Sequence, residues 1–518
     1  MAVMGLVLLI ACANVAHLLL SRATARRREI AIRLGLGAPR SRILSQLLTE
    51  SLLLAMAGGM FGLVLARGLR DALLTYLPSE QSLSAPLALE VLLFTVALAF
   101  GSALLFGLAP ALQSTKVDVA PALKGGETAV KPSRALFRRG LVVVQVSLSL
   151  LVLIAAALFL RSLHNLLTVD TGFARENILV ASVDPGMDRY MQFYPRLLEE
   201  VKQLPGVVAA GLADAPPLGT HTGWNIFVPG YVPKANEPRS SPSVGFVSPG
   251  YFETMNIPLL LGRDIDQRDV SAEQDVMIVN ETFAKHYFEG ENPVGRRVGL
   301  SEGVYDVEII GVVKDSKYTG LRESAIRMVY VPYRTGPWAS HMVVHLRAAA
   351  DPAALASALR QRVRALDPHA PVFNVHTVQD ELDRSLSRER LVGTITSLFS
   401  VLALLLAAIG LYGTLSYGVT GRTREFGIRT AIGATAASIV GLVLREAVWL
   451  LVAGVLFGLA AAWALGRIVS SMLFGIESTD PVSAAIAAVV LITVALVAAW
   501  IPAGRASRVD STRALRYQ

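Results

Sequence analysis

The sequence predicts a polytopic α-helical membrane protein of about seven spans, N-terminus outside and C-terminus inside, with an α+β domain outside the cytoplasm. Three observations predict it. Over 518 residues, 53% are hydrophobic, 17% are charged and mean hydropathy is +0.51, more apolar and less charged than soluble domains of this size. Seven long apolar runs recur along the chain, near residues 3–20, 44–66, 89–112, 140–161, 392–417, 438–466 and 482–503. Between the fourth and fifth lies a stretch of different character, roughly 162–391, where Gly, Pro, Asp and aromatics return.

Each run approaches or exceeds the roughly 20 residues a helix needs to cross a bilayer. The first lacks the positive n-region of a signal peptide, because its basic cluster follows the apolar stretch. That cluster, residues 21–42, holds seven Arg against one Glu. The segment after the third run holds Lys116, Lys124, Lys131, Arg134, Arg138 and Arg139; the segment after the fifth holds Arg422, Arg424 and Arg429; the tail holds Arg505, Arg508, Arg513 and Arg516. The turn between the sixth and seventh runs is acidic, with Glu477 and Asp480. The positive-inside bias places the basic segments in the cytoplasm. It also accounts for the net charge of +8 and pI of about 9.6. No basic patch interleaved with aromatics suggests nucleic acid. Cys12 is the sole cysteine, so internal disulfides and thiolate metal sites are excluded.

Within 162–391, β-like stretches at Asn177–Val183, Val276–Val279, Tyr305–Val313, Met328–Pro332 and His341–Leu346 alternate with helical ones at Tyr190–Gln203 and Pro352–Leu366. That order predicts an α/β or α+β domain.

The chain repeats itself. Residues 28–69 align without gaps on 424–465, an offset of 396, with 17 identities in 42 positions. Arg28, Glu29, Ile32, Arg33 and Gly37 match Arg424, Glu425, Ile428, Arg429 and Gly433; Gly58 and Gly62 match Gly454 and Gly458. Pro110-Ala111 and Lys116-Val117-Asp118 match Pro502-Ala503 and Arg508-Val509-Asp510 at offset 392. Runs 1–3 and 5–7 are thus copies of one three-span module. The second copy follows a span and an ectodomain; the first follows neither, which reads as a truncation or a mis-called start.

The segment R-E-x-x-I-R-x-x-x-G-A has two readings. One is an amphipathic interfacial helix that only anchors topology. The other, favoured by the duplicated Arg-Glu-Arg order, is a docking helix with which both halves grip one partner. The GxxxG spacings of Gly58/Gly62 and Gly454/Gly458 also have two readings, ordinary small-residue packing or a helix contact that changes during a cycle. The spans carry almost no charge at their centres, which argues against a proton- or ion-driven transporter. His341 and His345 are four apart in a strand-like stretch, about 13 Å apart there, too far to share a metal. No HExxH, GxSxG, CxxC or GxxxxGK[ST] is present in the sequence. Neither catalysis nor a cofactor is expected, and any ATP is used by another chain.

The duplicated motif, with P-A-x-x-A-S-R-V-D-x-x-x-A-L-R after the last span, resembles the FtsX-like (MacB-like) ABC transporter permease family. Val247-Ser248-Pro249-x-Tyr251-Phe252, Ile257-Pro258-Leu259-Leu260-x-Gly262-Arg263, Val279-Asn280-x-x-Phe283-Ala284, Asn292-Pro293-x-Gly295 and Ile310-Gly311-Val312-Val313 resemble the MacB-like periplasmic core domain. Two permease modules in one chain resemble the duplicated orphan permeases, here N-terminally truncated. The resemblance implies a first module over 1–125, a cytoplasmic linker and span over 126–161, a core domain over 162–391 (porter-like at 175–215 and 340–388, inserted lobe at 216–335) and a second module over 392–518. It implies a bacterial inner-membrane permease working by mechanotransmission with a separate cytoplasmic ATPase dimer, which grips Arg28–Gly37 and Arg424–Gly433. Periplasmic or outer-membrane proteins are implied as further partners. Macrolide or peptide efflux, lipoprotein release and control of cell-wall hydrolases stay open as roles. The alternative is a membrane-anchored sensor or scaffold whose ectodomain binds a ligand without an ATPase cycle.

Overall fold

The computed structural model describes residues 2–25, 32–33, 36, 39–74, 93, 97, 101, 132–232, 241–271, 274–301, 303–335 and 341–508. They form two compact units, residues 166–388 and the flanking chain on either side.

The flanking unit is helical. Its elements are α1 (Ala2–Ala25), α2 (Arg40–Leu74), α3 (Pro132–Thr168), α10 (Ser387–Gly421), α11 (Thr423–Ala431), α12 (Ala436–Val469) and α13 (Pro481–Ala506). Among the described residues, four stretches are long and apolar enough to cross a membrane: Arg138–Thr168, Ser387–Gly421, Ala436–Ile468 and Pro481–Ala506. They coincide with the fourth to seventh apolar runs. The first two runs lie on α1 and α2. The third, together with the basic tail beyond residue 508, lies outside the described residues apart from Leu93, Ala97 and Gly101.

Small residues set the packing of these helices. A Cβ on Gly454 would stand 2.5 Å from Val146 Cγ1, and one on Gly458 would stand 2.9 Å from Leu150 Cδ2. The two glycines therefore let α3 approach the α12 backbone, and Ser147 Oγ donates to the Gly454 carbonyl at 2.8 Å. Ala487, Leu491, Ala495, Ala499 and Ala503, a row on one face of α13, are buried in the same core. At one end of the unit Arg161 pairs with Asp480, the N-cap of α13, at 2.6 Å.

The other unit is built on one sheet. Its strands are β1 (Ile178–Val183), β2 (Val207–Ala213), β3 (Thr222–Gly223), β4 (Ser243–Val247), β5 (Leu259–Gly262), β6 (Val276–Asn280), β7 (Arg297–Val298), β8 (Val307–Val313), β9 (Met328–Pro332), β10 (Met342–Ala348) and β11 (Val372–Thr377), in the order β11-β1-β10-β2-β4-β9-β6-β8-β5. Two blocks are visible. Strands from 178–213 and 342–377 pair antiparallel, those from 243–332 pair with mixed direction, and β2 meets β4 through Ala213 and Val247 alone. Helices α4 (Tyr190–Lys202) and α8 (Leu355–Leu366) pack on the first block, in which β1, between β11 and β10, is buried along its whole length. A strand covered on both faces reads as a continuous apolar run. The short helix α5 (Tyr251–Met255) approaches β2 at Gly211, where a Cβ would stand 2.7 Å from Tyr251 Cα.

The motifs of this domain act as keys to the fold. Asn280 is fully buried; its Oδ1 accepts from Phe283 and Met328 N–H, and its Nδ2 donates to Asp315 and the Ile326 carbonyl. It caps α7 (Glu281–Phe288) and ties it to two other segments. Gly262, at φ +77°, lies so close to β8 that a Cβ would meet the Gly311 Cα at 2.8 Å. Arg263 beside it forks onto Asp269 at 2.7 and 2.8 Å.

Candidate functional site

The best described copy of the repeated charged motif is α11. Its buried side is Phe426, which sits in one core cluster with Ile439 and Val443 of α12. Its open side is Glu425, Ile428, Arg429 and Ile432, spaced i, i+3, i+4, i+7 and so on one helical face. Glu425 and Arg429 pair along that face at 2.7 Å. Two isoleucines stand in solvent between them, Ile428 at 42% exposure and Ile432 at 81%. The backbone of Arg424 belongs to the same helix.

The Gly-Ala that ends the motif has a structural cause. Gly433 is left-handed, φ +98°. Its N–H reaches the Thr430 carbonyl at 3.0 Å, and Ala434 N–H reaches the Arg429 carbonyl at 2.9 Å. This is a Schellman cap, which satisfies the last carbonyls and needs a residue without a Cβ penalty. Thr435 then caps α12, accepting from Ser438 N–H at 3.3 Å. The chain turns from α11 into the next span within a few residues.

The start of α11 is tied down as well. Glu446 on α12, the repeat counterpart of Glu50, pairs with both Arg139 at the start of α3 and Arg422 at the N-cap of α11. Nearby Arg138 lies over the Tyr417 ring, 4.1 Å from its centroid, and Arg505 donates to Tyr412 Oη at 2.7 Å. Basic residues of α3 and α13 thus hold α10 and α12, and Arg422 ties the start of α11 to the same Glu446.

In the first copy, Arg28, Glu29 and Gly37 lie outside the described residues. Ile32 is 44% exposed and Leu36 83%, close to their counterparts Ile428 and Ile432. Leu36 N–H bonds the Ile32 carbonyl at 3.0 Å, and Arg33 donates to Gln46 at 3.0 Å. Among the described residues nothing approaches within 4 Å of a Cβ placed on Gly58 or Gly62, in contrast to Gly454 and Gly458.

Three uncharged polar residues inside the apolar helices escape a reading based on charge. Asn14 on α1 and Gln145 on α3 are buried, and both donate to the Leu406 carbonyl of α10, at 2.9 and 2.5 Å. Ser400 Oγ donates to the Val152 carbonyl at 3.0 Å. The signal was available as isolated Asn and Gln in apolar runs, which find partners across helices. The two histidines weighed for metal stand apart in role. His345 is buried on β10 with Nδ1 at 3.1 Å from the Val343 carbonyl, and His341 stacks on Phe373. Among the described residues no cluster of His, Cys, Asp or Glu is arranged for a metal.

Comparison with known proteins gives two family matches. The model described as FtsX-like permease C-terminal matches twice, at residues 1–119 and 397–510. The model described as MacB-like periplasmic core domain matches residues 140–362. The chain belongs to the FtsX-like/MacB-like ABC transporter permease family. Its relatives include the macrolide export ATP-binding/permease protein MacB of Acinetobacter baylyi, 26% identical over 54% of this chain and 43% of that one. The uncharacterized ABC transporter permease YknZ of Bacillus subtilis is 27% identical over 55% of this chain and 72% of that one. The chain therefore spans less than half the length of the MacB relative. Among solved structures, the periplasmic region of MacB from Actinobacillus actinomycetemcomitans is 17% identical, covers 42% of this chain and 95% of that one, and gives a TM-score of 0.29. As a family member with apolar helices long enough to cross a membrane, the protein is a membrane protein with an extracytoplasmic domain.

Proposed function

We propose that this permease couples a separate cytoplasmic ATPase dimer to its extracytoplasmic domain by mechanotransmission, in the bacterial inner membrane, with seven spans and the basic segments inside. The coupling residues are Arg28, Glu29, Ile32, Arg33 and Gly37 in the first copy and Arg424, Glu425, Ile428, Arg429 and Gly433 in the second. The carrying observation is α11. It is pinned to the spans by Phe426 and by Arg422 on Glu446, yet presents an open face of paired charge and bare isoleucine. Bare apolar residues rimmed by charge mark protein contacts. Glu446 also holds Arg139 at the foot of α3, the helix that runs to Thr168 and enters the extracytoplasmic domain. Movement of α11 therefore has a short mechanical path into α3. The ATP is hydrolysed on the partner, and this chain supplies grip and lever.

The test is co-purification from detergent-solubilised native membranes, wild type against Glu29→Arg plus Glu425→Arg. An ABC ATPase retained by wild type and lost by the variant supports the reading. No ATPase with either contradicts it and favours a membrane-anchored scaffold.

A further inference from the structure

The extracytoplasmic domain holds a small cavity at the junction of its two strand blocks. Tyr251 and Met255 line it from α5, which packs on β2, and Met328 and Tyr330 line it from β9 of the second block. Phe173, from the segment that follows α3, and Tyr318 add two more rings. Aromatic faces and thioethers together favour an aromatic guest. His221 also lines the cavity, and its Nδ1 is buried with no hydrogen-bond partner among the described residues. A buried polar atom left in that state is costly and rare. Burial keeps the imidazole neutral, its pKa pushed down to about 4, and keeps the Tyr251 hydroxyl protonated by pushing its pKa up. Lys317, the charged residue of the lining, has its ammonium on the Glu323 carbonyl. The lining therefore suits an uncharged guest with an aromatic body and one hydroxyl. A hydroxyl both donates and accepts, so it meets Nδ1 in either tautomer.

We infer that this cavity is a binding site for a small phenol, admitted when the strap 216–221 lifts. As it stands the cavity measures about 20 Å³, room for one water, so a ring enters only if a wall moves. The strap is the wall suited to moving. Leu218 is held left-handed at φ +61°, a strained conformation for a residue with a Cβ and one that clusters at ligand clamps. The strap's turn closes on itself, Gly219 N–H donating to the Pro216 carbonyl at 3.0 Å. Occupancy bears directly on residues 170–174, which follow α3 in the chain. Lys317 N–H donates to the Thr171 carbonyl and Ala174 N–H to the Met255 carbonyl, each at 2.8 Å, and Asp170 pairs with Lys314 at 2.9 Å. A guest against Phe173, Met255 and Lys317 thus presses on the walls to which this segment is bonded. That α3 would carry the signal onward rests on the function proposed above; the site itself does not.

The experiment photolyses meta-azidophenol with the detergent-solubilised full chain and maps adducts by peptide mass spectrometry, with meta-azidotoluene, which lacks the hydroxyl, as the comparison. The inference expects azidophenol adducts on the peptides holding Met255, Tyr318 or Met328, suppressed by excess phenol and not by toluene. His221→Phe keeps a ring and loses Nδ1, and labelling there should fall about tenfold. Equal labelling by the two azides, labelling that excess phenol leaves unchanged, or full labelling of a folded His221→Phe chain overturns the inference. Hydrogen exchange of wild type gives a second measure that needs no substitution: the amides of Ala174 and Lys317 should exchange more slowly with phenol than with toluene, and equal exchange overturns the site. Phenol-dependent labelling in a chain that retains no ATPase would leave the site standing and remove the function proposed above.

Discussion

Glu446 on α12 is bonded to Arg139 at the start of α3, with Nε at 3.1 Å, across 307 residues of sequence. The same carboxylate holds Arg422 through its other oxygen at 3.4 Å. One side chain thus joins the start of α11, the α12 span and the α3 span. All three groups are partly in solvent, so the pair matters for geometry more than for stability.

Glu446→Gln is expected to leave the helical fold intact and to loosen α11. A double-mutant cycle with Arg139→Gln should return a coupling of about 0.2–1 kcal/mol. Hydrogen exchange at amides 426–432 should quicken in the variant, and ATPase retention should fall. Unchanged exchange would show that Phe426 alone holds the helix.

Gly433→Ala removes the residue that tolerates the left-handed cap. The cost is about 1 kcal/mol, felt at the end of α11. The amides of Gly433 and Ala434, now bonded to Thr430 and Arg429, should lose protection, while Gly433→Asn should lose less.

Gly454→Val drives a branched side chain into Val146. Overpacking of this kind costs about 1–3 kcal/mol and should lower the thermal stability of the detergent-solubilised chain. Gly58→Val, at the matching position of the first copy, should be tolerated far better, because nothing among the described residues stands within 4 Å there. Equal losses at both positions would contradict the packing described.

Charge and hydropathy made the membrane class legible, because four spans are apolar throughout and their basic flanks are dense. The motif around Arg424 was legible as a helix with a stop, but its inward face was not. The repeated motif singled out Ile32 and Ile428, whereas the buried anchor of the second copy is Phe426, whose counterpart Ile30 is also apolar. In the extracytoplasmic domain β1, β6, β8, β9 and β10 are rich in Val and Ile and announce themselves. Strand β2 reads Val-Val-Ala-Ala-Gly-Leu-Ala, weak in β propensity, because α5 crosses it closely at Gly211. Its pattern follows from a neighbour distant in sequence. On α10, a Cβ on Gly410 would stand 2.7 Å from Asn14 Oδ1 and would meet the Gln145 amide as well; that junction was hidden for the same reason, since a glycine gives no sign of the two amides that fill its place.

His345 gives a prediction in pH. Burial pushes its imidazolium down to about 4 from an ordinary value of 6.5. Between those values the unfolded chain binds more protons than the folded one, so stability rises with pH from about 4 to 6.5 and is lost as pH falls through that window. His345→Phe, an apolar ring beside Tyr251, should remove this loss. Limited proteolysis of the extracytoplasmic domain in the full chain should show the variant gaining on wild type at pH 5 relative to pH 7. An unchanged difference between the two pH values would mean His345 is not buried neutral.

The central claim is that the open face of α11 meets an ATPase. A photo-reactive benzoylphenylalanine at Ile432, irradiated in native membranes, tests it most directly, with the same probe at buried Phe426 as the comparison. The account expects an ABC ATPase cross-linked from position 432 and not from 426. Cross-links from 432 to lipid alone, or to nothing, in chains that remain folded would contradict it.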